Sequence, residues 1–109
     1  MSTETWSPTE KKIARRAFDA AYGRETATIM EELRRRVGRM ATSKDLWQLE
    51  GFLRERGDEV AEKYVYRYSR LIYVFAILYH GGFLMEADLA GLSPDKIDAV
   101  KRMGDCFRK

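Results

Sequence analysis

The side chains that could do chemistry are few and poorly placed for catalysis. His80 is the only histidine and Cys106 the only cysteine of the 109-residue chain, so a metal site built from several histidines is impossible. His80 falls in the last turn of a predicted helix, where an imidazole complements the negative end of the helix dipole. A cysteine nucleophile needs a histidine within hydrogen-bond reach, and nothing in the spacing brings Cys106 to His80. There is no phosphate loop, no dinucleotide fingerprint and no glycine cluster opening a helix. The acids are spread along amphipathic stretches as solvated charges. The chemistry left to such a chain is recognition, so we read it as a binding protein and not an enzyme, with no cofactor and no metal.

Two features could carry recognition. Trp47 lies at the edge of an apolar stripe, beside Leu46 and one turn from Glu50 and Gly51, where a large amphipathic ring commonly serves an interface. The run Arg34-Arg35-Arg36 with Arg39 suggests a phosphate-binding strip, and residues 8–40 carry nine Lys/Arg against five Asp/Glu. Helical geometry argues against it. Consecutive residues are about 100° apart, so the three arginines fan round the helix, and Glu31 and Glu32 stand four residues before Arg35 and Arg36 as intrahelical pairs. We therefore expect a solvated, ion-paired face and no nucleic acid.

These residues must be held by helices. Ser7-Pro8-Thr9-Glu10 combines an N-cap serine, a proline at the first helical position and a glutamate at the capping-box site. The first helix is expected over 8–40, with Ile13, Ala14, Ala17, Phe18, Ala21, Tyr22, Ile29, Met30, Leu33, Val37 and Met40 mostly three or four apart. Thr42 and Asp45 form a second capping box. From there one long helix is expected over 43–81, bent near Gly57 and stopped by Gly81-Gly82, with Leu46, Leu49, Leu53, Val60, Tyr64, Arg67, Leu71, Val74 and Leu78 along one side. Arg67 on that stripe either snorkels to solvent or pairs with an acid such as Glu25. Leu71 to Tyr79 is apolar all round, which marks a core helix, because a membrane span needs roughly 20 such residues. Residues 83–109 supply a small head: a short helix over Phe83 to Ala90, then one started by Ser93-Pro94.

The fold class expected is all-α, a single domain over 1–109, with a stalk of two long antiparallel helices and a C-terminal helical head. The first helix would be about 48 Å long at 1.5 Å per residue, against a radius of gyration of about 13 Å for a compact domain of this size. Stripes on such a hairpin are too wide for one partner, so a two-fold homodimer is expected, with Leu33, Val37, Leu46, Leu49 and Leu53 as its stripe. A formal charge of +3, a single cysteine and a polar start apart from Trp6 give a cytoplasmic location, with no leader and no membrane insertion, as the expectation.

Trp6-Ser7, Ala20-Ala21-Tyr22 with Arg24-Glu25, Asp45-Leu46-Trp47 through Phe52-Leu53, Lys63-Tyr64, Arg67 with Ser69, Val74-Phe75-Ala76 and Asp88-Leu89 together resemble the fluorescence recovery protein family of cyanobacteria, over nearly the whole chain. The resemblance implies an all-helical dimer that binds the carotenoid-holding C-terminal domain of the activated orange carotenoid protein and speeds its return to rest, ending photoprotective quenching. It also implies that Trp47 and the head aromatic Tyr73 carry function. The chain departs from the family where a His-Asp pair is replaced by Glu50-Gly51 and a basic residue by Gly57, with Arg56 beside it. Partner-binding or dimer residues are then expected among Trp47, Glu50, Phe52, Arg56, Tyr73 and Lys101. The alternative is a helical dimeric adaptor or signalling protein with another partner.

Overall fold

Residues 5–107 are described by a computed structural model, and they are all-helical, with α1 over Pro8–Gly38, α2 over Ser43–Lys63, α3 over Leu71–His80, a 3-10 turn over Glu86–Leu89 and α4 over Pro94–Cys106. Residues 1–4 of the polar start and 108–109 of the expected head lie outside the described residues. Both capping boxes form. The Glu10 backbone N–H donates to Ser7 Oγ and the Ser7 N–H to Glu10 Oε1, each at 3.1 Å, while the Asp45 N–H donates to Thr42 Oγ1 at 3.2 Å. Ser93 caps α4 with Pro94 at its first position. Gly82, at φ 86°, takes the left-handed conformation that closes α3.

The second long helix is corrected by the structure. It continues as helix through Gly57 and stops at Lys63, and Tyr64 to Arg70 form a non-helical link before α3. The cause is tertiary packing of Tyr64-Val65-Tyr66-Arg67-Tyr68, whose alternate residues turn aromatic rings onto α1. Phe18 meets Tyr64 and Tyr66 edge-on at centroid distances of 5.4 and 4.9 Å, Tyr22 meets Tyr64 at 5.3 Å, and Trp6 meets Tyr68 at 5.8 Å. Each such pair adds about 0.5–1.5 kcal/mol beyond burial, comparable to the net worth of a helical hydrogen bond, and the apolar ring area taken from water comes on top of it. Arg67 is therefore off any helical stripe and exposed, and Glu25 pairs with Lys63 instead. The short helix expected over 83–90 is only the single 3-10 turn.

The core sits entirely in the head. Leu71, Val74, Phe75 and Leu78 of α3 are buried with Ala14, Ala17, Phe18 and Ala21 of α1, joined by Trp6, Leu84, Leu89, Leu92 and Val100. The first half of α1 is thus part of the head, which the stalk expectation had assigned to the hairpin. Gly104 lets α4 approach α3: a Cβ there would stand 3.1 Å from Tyr79 Cδ2 and 3.3 Å from the Ala76 carbonyl. Beyond Glu25 no residue of α1 is buried, and α2 buries none at all. The result is elongated, 53 × 27 × 20 Å with a radius of gyration of 16.7 Å. No helix among the described residues is long and apolar enough to cross a membrane.

Candidate partner-binding surfaces

The sequence-predicted residues divide between two places. On α2, Trp47 is 66% exposed, the largest apolar side chain offered to solvent. One turn on, Glu50 is ion-paired to Arg54. Phe52 lies between two guanidiniums, with Arg36 of α1 4.3 Å and Arg56 5.6 Å from its ring centre. Arg56 also reaches Glu59 at 2.8 Å, while its buried Nε has no acceptor. Phe52 therefore joins the two stalk helices through Arg36, while the contacts of Arg56 stay within α2. Of the expected dimer stripe, Val37, Leu46 and Leu53 are 47, 44 and 43% exposed, whereas Leu33 and Leu49 are half-buried between the helices.

In the head, Tyr73 is 42% exposed on α3, under the Arg70 guanidinium at 5.3 Å and edge-on to Phe107 at 6.1 Å. His80 meets the same Phe107 ring at 5.9 Å and makes no hydrogen bond to Cys106. Lys101 of α4 pairs with Glu86 at 3.2 Å, and the hydrogen bond to that carboxylate holds its ammonium above the usual lysine range. Tyr73 and Lys101 thus stand on different helices with different partners.

What sequence reading missed are the ties that build the head. Trp6, placed in a polar tail, is 6% exposed, with Lys96 Nζ 4.9 Å above its ring. Buried Lys96 donates to the Thr5 carbonyl at 2.7 Å and pairs with Glu10 at 3.2 Å. Glu10 accepts in addition from the Ser93 N–H at 2.9 Å, so one carboxylate caps α1 and anchors the start of α4. The Ser7 and Ser93 N–H groups, then Lys96, hold that carboxyl below the usual range. Arg24 clamps the turn after α3, donating to the Phe83 carbonyl at 2.8 Å and to Asp88 at 2.7 and 3.2 Å, which lowers the Asp88 pKa. Glu25, almost fully buried, accepts from Lys63 Nζ at 2.6 Å and from the Tyr64 hydroxyl at 2.8 Å. Burial first, then that hydrogen bond, pushes the Tyr64 phenol far up. A capping-box glutamate followed much later by a serine-capped helix carrying a lysine was the one signal available, and only the fold joins them.

Among the described residues no group of three or more potential metal ligands gathers. The described residues form an elongated all-helical scaffold with a closed head, an open stalk and displayed aromatics. The comparisons make this specific: residues 6–104 match the family described as photoprotection regulator fluorescence recovery protein, and the chain belongs to that family. It is 32% identical over 98 residues to the fluorescence recovery protein of Synechocystis sp. PCC 6803, covering 90% of each chain. The solved fluorescence recovery protein of Fremyella diplosiphon superposes with a TM-score of 0.87 at 34% identity, and that of Synechocystis with 0.87 at 31%, each covering 93% of this chain and 99% of the other. The residues that carried the resemblance now have a physical meaning: Trp6, Arg24, Glu25, Lys63, Tyr64 and Asp88 are the inter-element ties just described.

Proposed function

We propose that this chain is a non-enzymatic regulator that docks on the carotenoid-binding C-terminal domain of an orange-carotenoid-protein-like photoreceptor and promotes its return to the resting state, ending photoprotective quenching. Membership of the family of photoprotection regulators carries the reading. Binding can drive such a return only if the compact form of the photoreceptor, or the path to it, is bound more tightly than the open form. Trp47 and Tyr73, exposed without any intrachain need, are the contacts proposed for the photoreceptor, with Glu50, Arg56 and Lys101 supplying polar ones. The working unit is a homodimer, because no residue of α2 is fully buried within its own chain and Leu46 and Leu53 are open to solvent.

Glu50-Gly51 and Gly57 replace polar residues of the family, and removing a polar partner from a desolvated contact weakens binding by about 1–3 kcal/mol, roughly 5- to 150-fold. Recovery is therefore expected to be accelerated less than by an authentic cyanobacterial member. The test is the dark decay of the light-activated red form of an orange carotenoid protein, with and without excess of this protein. A modest acceleration, lost in Trp47→Ala, is expected. Absence of both binding and acceleration contradicts the reading and favours an adaptor with another partner.

A further inference from the structure

Six aromatic rings of the head meet as a line and not as a cluster. Trp6 faces Tyr68 at a centroid distance of 5.8 Å and Tyr68 faces Tyr66 at 5.4 Å. Phe18 then bridges Tyr66 and Tyr64 at 4.9 and 5.4 Å, and Tyr64 meets Tyr22 at 5.3 Å. The Trp6 end is buried, whereas the Tyr22 end is 47% exposed. Indole and phenol rings can lose one electron and hold the resulting hole. Phenylalanine holds none, but Tyr66 and Tyr64 are two residues apart with Cα atoms at most roughly 7 Å from each other, so a hole passes Phe18 by tunnelling.

Charge and proton acceptors give the line a direction. A cation over a π-face is attracted to its electrons and makes them harder to remove. Lys96 lies 4.9 Å over Trp6, Lys11 5.1 Å over Tyr68 and Arg15 4.6 Å over Tyr66. Glu10 and Asp19, paired with Lys96 and Arg15, offset part of that charge. At Tyr64 the balance changes: Lys63 stands 5.9 Å from the ring centre, but the Glu25 carboxylate accepts from it and, at 2.8 Å, from the phenol itself. An oxidised phenol is a strong acid and needs a base, which Glu25 supplies at Tyr64 and water at Tyr22. Trp6 is the opposite case, because its buried Nε1 has no acceptor among the described residues. Its oxidised indole keeps its proton and stays strongly oxidising, so the hole is pushed outward.

We propose that these rings form a redox relay: a one-electron-oxidising radical takes an electron from Trp6, and the hole moves through Tyr68, Tyr66 and Tyr64 to Tyr22, where a soluble thiol refills it. The radical leaves as its anion, and each ring is restored by the electron of the next. The Tyr64 proton is lent to Glu25 and returned, so the net change is one electron from Tyr22 to the radical and one proton from Tyr22 to water. The thiol then gives a hydrogen atom to the Tyr22 phenoxyl and leaves as a thiyl radical. The relay empties the head interior of oxidising equivalents.

The test uses the full chain with Trp47→Phe, which leaves Trp6 as the one tryptophan. A laser flash at the long-wavelength edge, where only indole absorbs, ionises Trp6, and a cobalt(III) ammine captures the ejected electron. The tryptophan radical is expected to decay in a first-order phase, independent of protein concentration, with matching growth of a tyrosyl radical. Tyr68→Phe keeps the ring and its packing and is expected to abolish that fast phase, whereas Tyr79→Phe, off the line, leaves it unchanged. Tyr22→Phe is expected to replace the electron paramagnetic resonance spectrum of a solvent-exposed tyrosyl by that of one hydrogen-bonded to a carboxylate. Circular dichroism confirms that each variant folds. A tryptophan radical that decays alike with and without Tyr68, or a tyrosyl radical lost in Tyr79→Phe, overturns the relay, and a spectrum unmoved by Tyr22→Phe overturns its exit.

Discussion

The two halves of α1 belong to the same helix and obey opposite rules. From Pro8 to Glu25 its inward positions are Ala14, Ala17, Phe18 and Ala21, all buried, and its ends are tied by Glu10, Arg24 and Glu25 to α4, the 3-10 turn and the link. From Thr26 to Gly38 nothing is buried, and the polar contacts of Glu32 are to Arg35 and Arg36 on its own helix. Small residues permit close approach where the chain supplies its own partner, and larger ones such as Met30 and Val37 stay uncovered where it does not. The difference teaches that the head buries its apolar residues within one chain, whereas the stalk leaves its larger ones open, which is the ground of the proposed dimer.

The largest break in that contrast comes from emptying the head. Trp6→Ala should destabilise by about 3–5 kcal/mol, as for other buried large-to-small changes, and the drop in melting temperature should be independent of protein concentration. Leu53→Ala should do the reverse. It leaves the isolated chain nearly as stable, and it raises the dimer dissociation constant about 100-fold, because two side chains each worth about 1.5–3 kcal/mol on full burial leave the seam. Dilution-dependent melting of the wild type that vanishes in this variant is the readout.

Lys96→Met should come next, at about 1–3 kcal/mol, by leaving Glu10 without its ammonium and releasing the Thr5 carbonyl. Acid should act through the same carboxylates. Glu10 and Asp88 have folded pKa values below their unfolded ones, so their contribution is present in full above the ordinary carboxylate range and is lost as pH falls through the lowered values. Chemical denaturation between about pH 6 and about pH 3 should show head stability falling steadily, with a weaker slope in Glu10→Gln. Smallest of all, Trp47→Ala should change stability by less than about 0.5 kcal/mol, since its ring is two-thirds exposed, while the effect on photoreceptor recovery is large.

Much of this was legible from residues. Capping boxes at Ser7-Glu10 and Thr42-Asp45, the stop at Gly82 and the serine-proline start of α4 are local rules, and each holds. What was not legible depends on distant partners. Tyr64, Tyr66 and Tyr68 continue a helical stripe as well as they alternate along an extended segment, and only Phe18, Tyr22 and Trp6, more than forty residues earlier, decide between the two. Trp6 looked like part of a tail because its cover comes from the far end of the chain. Among candidate site residues, Trp47 and Tyr73 are exposed, but Phe52 proved to be fastened between helices under Arg36, a pairing that no spacing announces.

The head-versus-stalk contrast is tested most directly by amide hydrogen exchange at several protein concentrations. Protection of α3 and α4, as well as of α1 before Glu25, should be the same at every concentration. Protection of α2 and of α1 beyond Thr26 should fall together as the protein is diluted through its dimer constant. Stalk amides as protected as those of α3 in a dilute, monomeric sample would contradict the account.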